Sequence, residues 1–194
     1  MARPVEFDRD EVLTRAMRTF WRQGFEGTSI QDLVDATGIN RASMYSAFGS
    51  KEALFVATID HYVERVSRKR TAVLYDETLP PRQAITAFFE GLVDFSFGEG
   101  KRLGCLLTNT AIELSGRRPD IESRLAGAFS RIQSTFERVI RKGQAAGDIP
   151  ADRDPVATSR FLVGTVHGLR VLARSGAKEP VLRDVVKVAL STLG

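Results

Sequence analysis

The first fifty residues divide into three segments whose apolar residues recur at helical spacing. The positions where these segments begin and end constrain the fold more than any other feature of the chain. Each segment begins at a residue type that caps helices, and the first two end at glycine. The caps and ends are Asp8 and Gly24, Thr28 and Gly38, and Asn40 and Phe48. Glu11 and Gln31 stand three residues after the first two caps, which is the spacing of a capping box. The pattern predicts one longer helix followed by two short helices.

The rest of the chain predicts further helices and no strands. Apolar residues recur at helical spacing, and no stretch alternates apolar and polar residues between turn residues. The helices predicted after the third span residues 50–72, 80–97, 104–115, 119–146, 154–174 and 178–192. We therefore expect an all-α architecture of nine helices. Residues 1–50 form the head, residues 51–194 form the body, and the fourth helix links the two.

Composition excludes several classes of protein. With one cysteine, Cys105, the chain cannot form an internal disulfide, and with only His61 and His167 beside it no zinc-ligand spacing is available. The sequence has neither an apolar run long enough to span a membrane nor a secretory signal at its start, so we expect a cytoplasmic protein. The net charge of +4 is spread along the chain, so charge alone does not locate a nucleic-acid site.

Catalytic motifs are equally missing from the sequence. It has no Gly-x-Ser-x-Gly, no Rossmann glycine set and no metal cluster. The Gly-Glu-Gly-Lys run at residues 98–101 lacks both the spacing and the Ser or Thr of a phosphate-binding Walker A loop. We therefore expect neither an enzyme nor a bound cofactor or metal.

The two short helices, joined by a four-residue turn at residues 36–39 behind a longer helix, have the proportions of a helix-turn-helix. Residues 8–55 resemble the head of the TetR family in three blocks, at 16–30, 36–48 and 50–55, whose order and spacing match together. The resemblance implies a homodimeric repressor that binds a palindromic operator and is released by a small-molecule or electrophile inducer. The alternatives are a ligand-independent regulator or activator, and a helical hairpin with no role in DNA binding.

The outward face of the third helix carries most of the candidate DNA contacts. Arg41 and two serines can reach base edges, Tyr45 matches the family's phosphate-contacting tyrosine, and Lys51 stands where helix N–H groups attract phosphate. The candidates are Thr28, Arg41, Ala42, Ser43, Tyr45, Ser46 and Lys51. Ala42 stands where the family usually has glycine, so the operator sequence is not predicted. Arg3 fits either a minor-groove arm or a disordered terminal arginine.

In the body, the resemblance implies a ligand pocket enclosed by the fifth to seventh helices and a four-helix dimer interface made by the last two helices of each chain. The fifth helix is apolar nearly all round, which fits a helix buried between neighbours. The candidate pocket residues are Phe88, Leu92, Phe95, Cys105, Thr108, Asn109, Ile112, Phe129, Ile132, Phe136 and His167. The candidate interface residues are Phe161, Gly164, Gly168, Leu172, Val185 and Val188.

Several of these body residues fit two interpretations. The phenylalanines suit ordinary core as well as a pocket, and His167 can bond a ligand, although we favour a hydrogen-bonded core histidine. Gly164 and Gly168 form one small-residue face that admits either a partner's backbone or a cavity. His61 is expected on the surface of the fourth helix.

Cys105 carries a sharper hypothesis. Residues 104–111 resemble a segment found in one branch of the family, some of whose members sense electrophiles or oxidants through that cysteine. Cys105 falls in the first turn of the predicted sixth helix, and helix N-termini favour the reactive thiolate. The alternative, which we favour, is a small apolar residue that lines or underlies a pocket for a noncovalent, largely apolar ligand.

Overall fold

The computed structural model describes residues 7–194, and that part of the chain contains helices and no strands. It confirms the all-α, nine-helix prediction, with α4 and its continuation counted as one helix. The helices are α1 (Arg9–Gln23), α2 (Ile30–Thr37), α3 (Arg41–Phe48), α4 (Lys51–Tyr62), α5 (Pro81–Phe97), α6 (Leu106–Leu114), α7 (Pro119–Ala145), α8 (Pro155–Ser175) and α9 (Glu179–Ser191). α4 continues as a π-helical turn (Val63–Ser67), an α-helical turn (Arg68–Thr71) and a 3₁₀ turn (Ala72–Tyr75). Arg3 lies outside the described residues.

The longest helices bury one face and expose the other. Within residues 7–194 no helix is long and apolar enough to cross a membrane. Over the same residues, no three His, Cys, Asp or Glu side chains lie together as potential metal ligands.

Side-chain caps begin the helices of the head, mostly where the sequence predicts them. The Asp8 carboxylate accepts hydrogen bonds from the N–H groups two and three residues later, at 2.9 and 3.3 Å. Asn40 and Ser50 each accept from the N–H three residues later, at 2.8 and 3.1 Å. These bonds satisfy N–H groups that the first turn of a helix leaves free, so α1, α3 and α4 begin at the predicted positions.

The cap predicted for the second helix was wrong by one residue. Ser29, not Thr28, caps α2, and its capping-box partner is Asp32, whose carboxylate accepts from Ser29 N at 2.7 Å. Thr28 is almost wholly buried and its hydroxyl donates to the carbonyl of Gly24 at 2.6 Å. The threonine therefore closes the turn after α1, and this leaves the next residue free to cap α2.

Two apolar clusters make up the core. The first joins α1 to α4 with α6 and the start of α7, around Phe20, Phe55 and Leu106. The second joins α5, the later part of α7, α8 and α9, around Phe89 and Phe136. Because the first cluster includes residues on both sides of residue 50, the head packs directly on the body through α4 and α6.

His61 corrects a prediction about α4. It was expected on the surface, but it is 8% exposed, with its Nε2 atom 2.8 Å from Thr14 Oγ1. The carboxylate of Asp10 lies 3.7 Å from the other ring nitrogen. Burial lowers the pKa of His61, and Asp10 opposes that shift in part. The error arose because α4 packs along α1 on this side, and the local sequence carries no sign of that neighbour.

Candidate nucleic-acid interface and ligand cavity

The helix α3 has one buried face and one exposed face. Met44 and Phe48, four residues apart, are buried against the head. Arg41, Ala42, Tyr45 and Ser46 are exposed, and Ser43 is half-buried beside them. The structure therefore brings five of the predicted DNA contacts onto a single face that no other part of the described chain covers.

The two remaining candidates differ in accessibility. Lys51 is the first residue of α4, and its ammonium group lies 4.4 Å from the centre of the Phe25 ring, which holds it near the start of that helix. Thr28 is buried and its hydroxyl is already bonded within the turn. We therefore keep Lys51 as a predicted phosphate contact and leave Thr28 out.

The body forms a partly open cavity of about 750 Å³ between the continuation of α4 and helices α5, α7 and α8, with the start of α6 at one end. This volume is typical of small-molecule sites. Six of the predicted pocket residues line it: Phe88, Leu92, Cys105, Phe129, Ile132 and His167. His167 is half-buried, with its Nδ1 atom 3.0 Å from Thr108 Oγ1, and burial lowers its pKa.

Five predicted pocket residues lie outside the lining. Phe136 belongs to the core, where its ring packs against Phe88 and Phe89. Thr108 forms a hydrogen bond with His167, and Phe95 stacks on Trp21. The other two are on α6: Asn109 donates to a loop carbonyl at 2.9 Å, and Ile112 is 71% exposed. Thr108 is also on α6, and these three residues lie outside the lining because only the N-terminal end of this helix reaches the cavity.

The prediction also missed lining residues. α4 contributes Tyr62, its continuation contributes Arg70 and Tyr75, and α8 contributes Arg170. Arg170 is 4% exposed, and burial lowers its pKa. An arginine set among apolar residues of a helix was the available signal. Nothing in the local sequence shows that α4 turns its later residues toward α5 and α7.

Cys105 lies at the N-cap of α6, one residue before the helix, and not in its first turn as predicted. It is half-buried and lines the cavity. The hydroxyl of Tyr62, which is wholly buried, donates to its sulfur at 3.5 Å. Burial raises the pKa of this tyrosine, so it remains a neutral donor.

The outer faces of α8 and α9 carry an exposed apolar stripe, which we define by Phe161, Val171, Val181 and Val188. Gly164 and Gly168 lie along it, and a Cβ atom added at either would meet nothing within 4 Å. Leu172 and Val185 are half-buried at its side. The predicted interface residues thus share a face that is open in the single chain.

A carboxylate on α6 holds the head to the body. Glu113 accepts hydrogen bonds from the backbone N–H groups of Phe25 and Glu26, at 3.0 and 2.8 Å. The approach is close because Gly24, with φ of +81°, has no side chain: a Cβ there would lie 2.7 Å from the Glu113 carboxylate. Arg174 on α8 adds a second link by donating to the carbonyl of Trp21 at 3.3 Å.

Models of known protein families match both the N-terminal and the C-terminal part of the chain. Residues 12–58 match a model described as bacterial regulatory proteins, tetR family. Residues 81–190 match a model described as the tetracyclin repressor-like C-terminal domain.

Individual relatives agree with these matches. The chain is 33% identical to the HTH-type transcriptional repressor ComR of Escherichia coli, over 98% of this chain and 90% of that protein. It is 31% identical, over the full length of both chains, to YezE, an uncharacterized HTH-type transcriptional regulator of Bacillus subtilis. Among solved structures, a cysteine mutant of the TetR family regulator CifR in complex with a 26-base-pair operator DNA superimposes with a TM-score of 0.88 at 32% identity, covering 99% of this chain and 100% of that one.

Proposed function

Because this chain belongs to the TetR family of bacterial transcriptional regulators, we propose that it is a homodimeric repressor that binds a palindromic operator and leaves it when a small molecule fills the cavity. One observation carries the proposal: α6 connects the two sites. Cys105 at its N-terminal end lines the cavity, and Glu113 near its C-terminal end bonds the head.

Operator recognition is assigned to the exposed face of α3. A helix of this kind lies in the major groove, where Arg41 offers a donor fork to a base edge and the serines offer hydroxyls. Tyr45 at the same face and Lys51 at the start of α4 contact phosphates and set the register. Phosphate contacts carry no sequence information by themselves, so discrimination between operators rests on Arg41 and its neighbours.

Dimerisation is assigned to the apolar stripe on α8 and α9. Large apolar side chains exposed along two adjacent helices are costly to leave in water and typical of an interface. Gly164 and Gly168 give a partner helix room for close approach. A two-fold dimer would then place its α3 helices about 34–36 Å apart, in successive major grooves.

Release of the operator is explained by a shift in the populations of two conformational states. A ligand that binds better to a state in which α6 or the continuation of α4 has moved draws the protein into that state, and the head moves with α6 through Glu113. The shift can be no larger than the difference in ligand affinity between the two states. Tight binding alone does not cause release.

The operator assignment is tested by selection from a random duplex library. We expect enrichment of a palindrome, and affinity for it that falls steeply with salt because Lys and Arg displace counterions from phosphates. Enrichment of sequences without two-fold symmetry would contradict the proposal.

The dimer is tested with Val188→Arg, which places a charge on the apolar stripe, against Gln83→Arg on the exposed side of α5. Light scattering should give a monomer for the first variant and a dimer for the second. Because two linked heads bind far more tightly than one, Val188→Arg should also lose roughly 100-fold in operator affinity. A dimer that survives the added charge would move the interface elsewhere.

Ligand control is tested by a thermal-shift screen with small molecules, followed by operator release with every hit. A ligand raises the melting temperature by mass action. Stabilising ligands that leave the operator complex intact would favour the ligand-independent alternative.

The position of Cys105 in the lining also supports an electrophile as inducer. Because Cys105 is the single cysteine of the chain, N-ethylmaleimide can be added in stoichiometric amount and quenched before DNA is added. Release of the operator by wild type and retention by Cys105→Ser would support thiol sensing. Equal release from both, or an unreactive thiol in the folded protein, would assign Cys105 to the wall of a noncovalent site.

A further inference from the structure

We propose that the cavity binds a small organic acid, with its carboxylate held between Arg170 and Arg70 and its apolar body along α5 and α7. This inference rests on the proposed function, in which the cavity is the ligand site, and adds the chemical class of the ligand. It replaces the largely apolar inducer expected from the sequence.

Arg170 is the first reason. It is 4% exposed, yet none of the salt bridges within residues 7–194 includes it. Its one side-chain hydrogen bond is long, 3.5 Å from Nη1 to Ser96 Oγ. Taking a guanidinium out of water is costly unless a negative charge and further acceptors replace the water. Because Arg170 lines the cavity, a bound anion can supply both.

Arg70 is the second reason. Its guanidinium lies 3.5 Å from the centre of the Phe95 ring, and that of Arg170 lies 5.3 Å from the same centre. Two guanidinium groups therefore approach one aromatic ring, and their mutual repulsion contributes to the lowered pKa of Arg170. An anion between them would relieve that repulsion.

The charges of the other lining residues also favour an anionic ligand. Arg68 and Arg131 also line the cavity, and no aspartate or glutamate occurs in the lining given by the described residues. Arg68 forms an ion pair with Glu64, which is not a lining residue. The other titratable lining groups are Tyr62, Tyr75, Cys105 and His167, and none of them is a carboxyl group. Arg70, Arg131 and Arg170 therefore give the cavity positive charge that no lining carboxylate balances.

The rest of the cavity wall indicates an apolar body for the ligand. Ala87, Phe88 and Leu92 from α5 and Phe129 and Ile132 from α7 give an apolar surface within the 750 Å³ of the cavity. A guanidinium matches a carboxylate in two parallel hydrogen bonds. A molecule with one carboxylate and a hydrocarbon or aromatic body of moderate size satisfies both parts of the wall.

The test uses acids and their amides, which have nearly the same shape but differ in charge. The pairs are octanoate with octanamide and 4-phenylbutyrate with 4-phenylbutanamide, and their binding to the full-length protein is measured by calorimetry and by melting temperature. We expect at least one acid to bind about tenfold or more tightly than its amide. Arg170→Met should remove this preference, Arg170→Lys should keep part of it, and the exposed control Arg117→Met should not change it.

These binding measurements contain no DNA, so they test the inference independently of the proposed function. Operator release by the same acids is then measured as a separate experiment. Acids that bind as expected but leave the operator complex intact would support the inference and contradict ligand-controlled release. Amides that bind as tightly as acids, or no binding by any acid at millimolar concentration, would overturn the inference. If Arg170→Met does not fold, the acid-to-amide ratio in wild type and in Arg170→Lys decides.

Discussion

The head and the body of this protein are both helical, but their helices begin in different ways. In the head, a side chain caps each of α1, α2 and α3. In the body after α4, only α8 has a side-chain cap, from Asp154, while α5, α7, α8 and α9 carry proline in their first two positions. The helices of the head thus begin at side-chain caps, and most helices of the body after α4 begin at proline.

The two candidate functional surfaces also differ in how many elements of the chain form them. The exposed face of α3 belongs to a single helix of eight residues, so its members can be identified from spacing alone. The cavity is made by residues from the continuation of α4, from α5, α7 and α8 and from the start of α6. Local patterns identify a surface made by one helix better than a space enclosed by several.

The largest effect is expected in the core of the body. Phe136→Ala should lower the free energy of unfolding by about 3–5 kcal/mol, because the wholly buried ring packs against Phe88 and Phe89. Phe129→Ala is the matched change in the cavity wall. It should lower the free energy of unfolding by less, because the Phe129 ring is half-buried and loses fewer contacts. Denaturant titration measures both. Equal losses would mean that Phe129 is as much a core residue as Phe136 and would weaken the distinction between core and cavity.

The next effect concerns the exposed face of α3. Arg41→Ala should relax preference at one operator position by about 1–3 kcal/mol, because a donor fork at a base edge is lost. Tyr45→Phe should weaken binding to all operator variants alike, because a phosphate contact carries no base information. Competition binding with single-base variants of the selected operator separates the two outcomes. A uniform loss for Arg41→Ala would assign that residue to phosphate instead.

A smaller effect is expected at the junction of head and body. Glu113→Gln replaces a charged acceptor of two backbone N–H groups by a neutral amide, which should cost about 1 kcal/mol of stability. For a chain of this length that corresponds to roughly 2–4 °C in melting temperature. The control is Glu90→Gln on the exposed side of α5. If the two variants have the same melting temperature, this contact does not contribute to the stability of the protein.

The smallest effect is pH dependence from the two histidines. Burial lowers the pKa of both His61 and His167 below 6.5, so between that value and the folded-state values the unfolded chain binds more protons. Their contribution to stability is complete above pH 6.5 and declines as the pH falls below it. The double variant His61→Asn with His167→Asn should therefore lose less melting temperature than wild type between about pH 7.5 and pH 5.5. An identical decline in both proteins would rule out the histidines as its source.

The sequence was sufficient for the nine helices, the exposed face of α3 and six residues of the cavity wall. It placed Phe136 in the pocket because residues 129, 132 and 136 share one stripe of α7, and only the packing of α5 separates core from cavity along that stripe. It missed Arg70 and Arg170 because the meaning of a buried charge depends on which groups surround it. It missed Glu113 because its backbone partners are 87 and 88 residues away in the chain.

The link that α6 makes between the cavity and the head has a consequence for how a cell would use such a protein. Coupling between two binding sites is reciprocal, so if a ligand lowers affinity for the operator by some factor, the operator lowers affinity for the ligand by the same factor. Protein that is free of DNA would then capture ligand at lower concentrations than protein already on its operator. The number of repressor molecules in excess of operators would therefore set the ligand concentration at which genes respond.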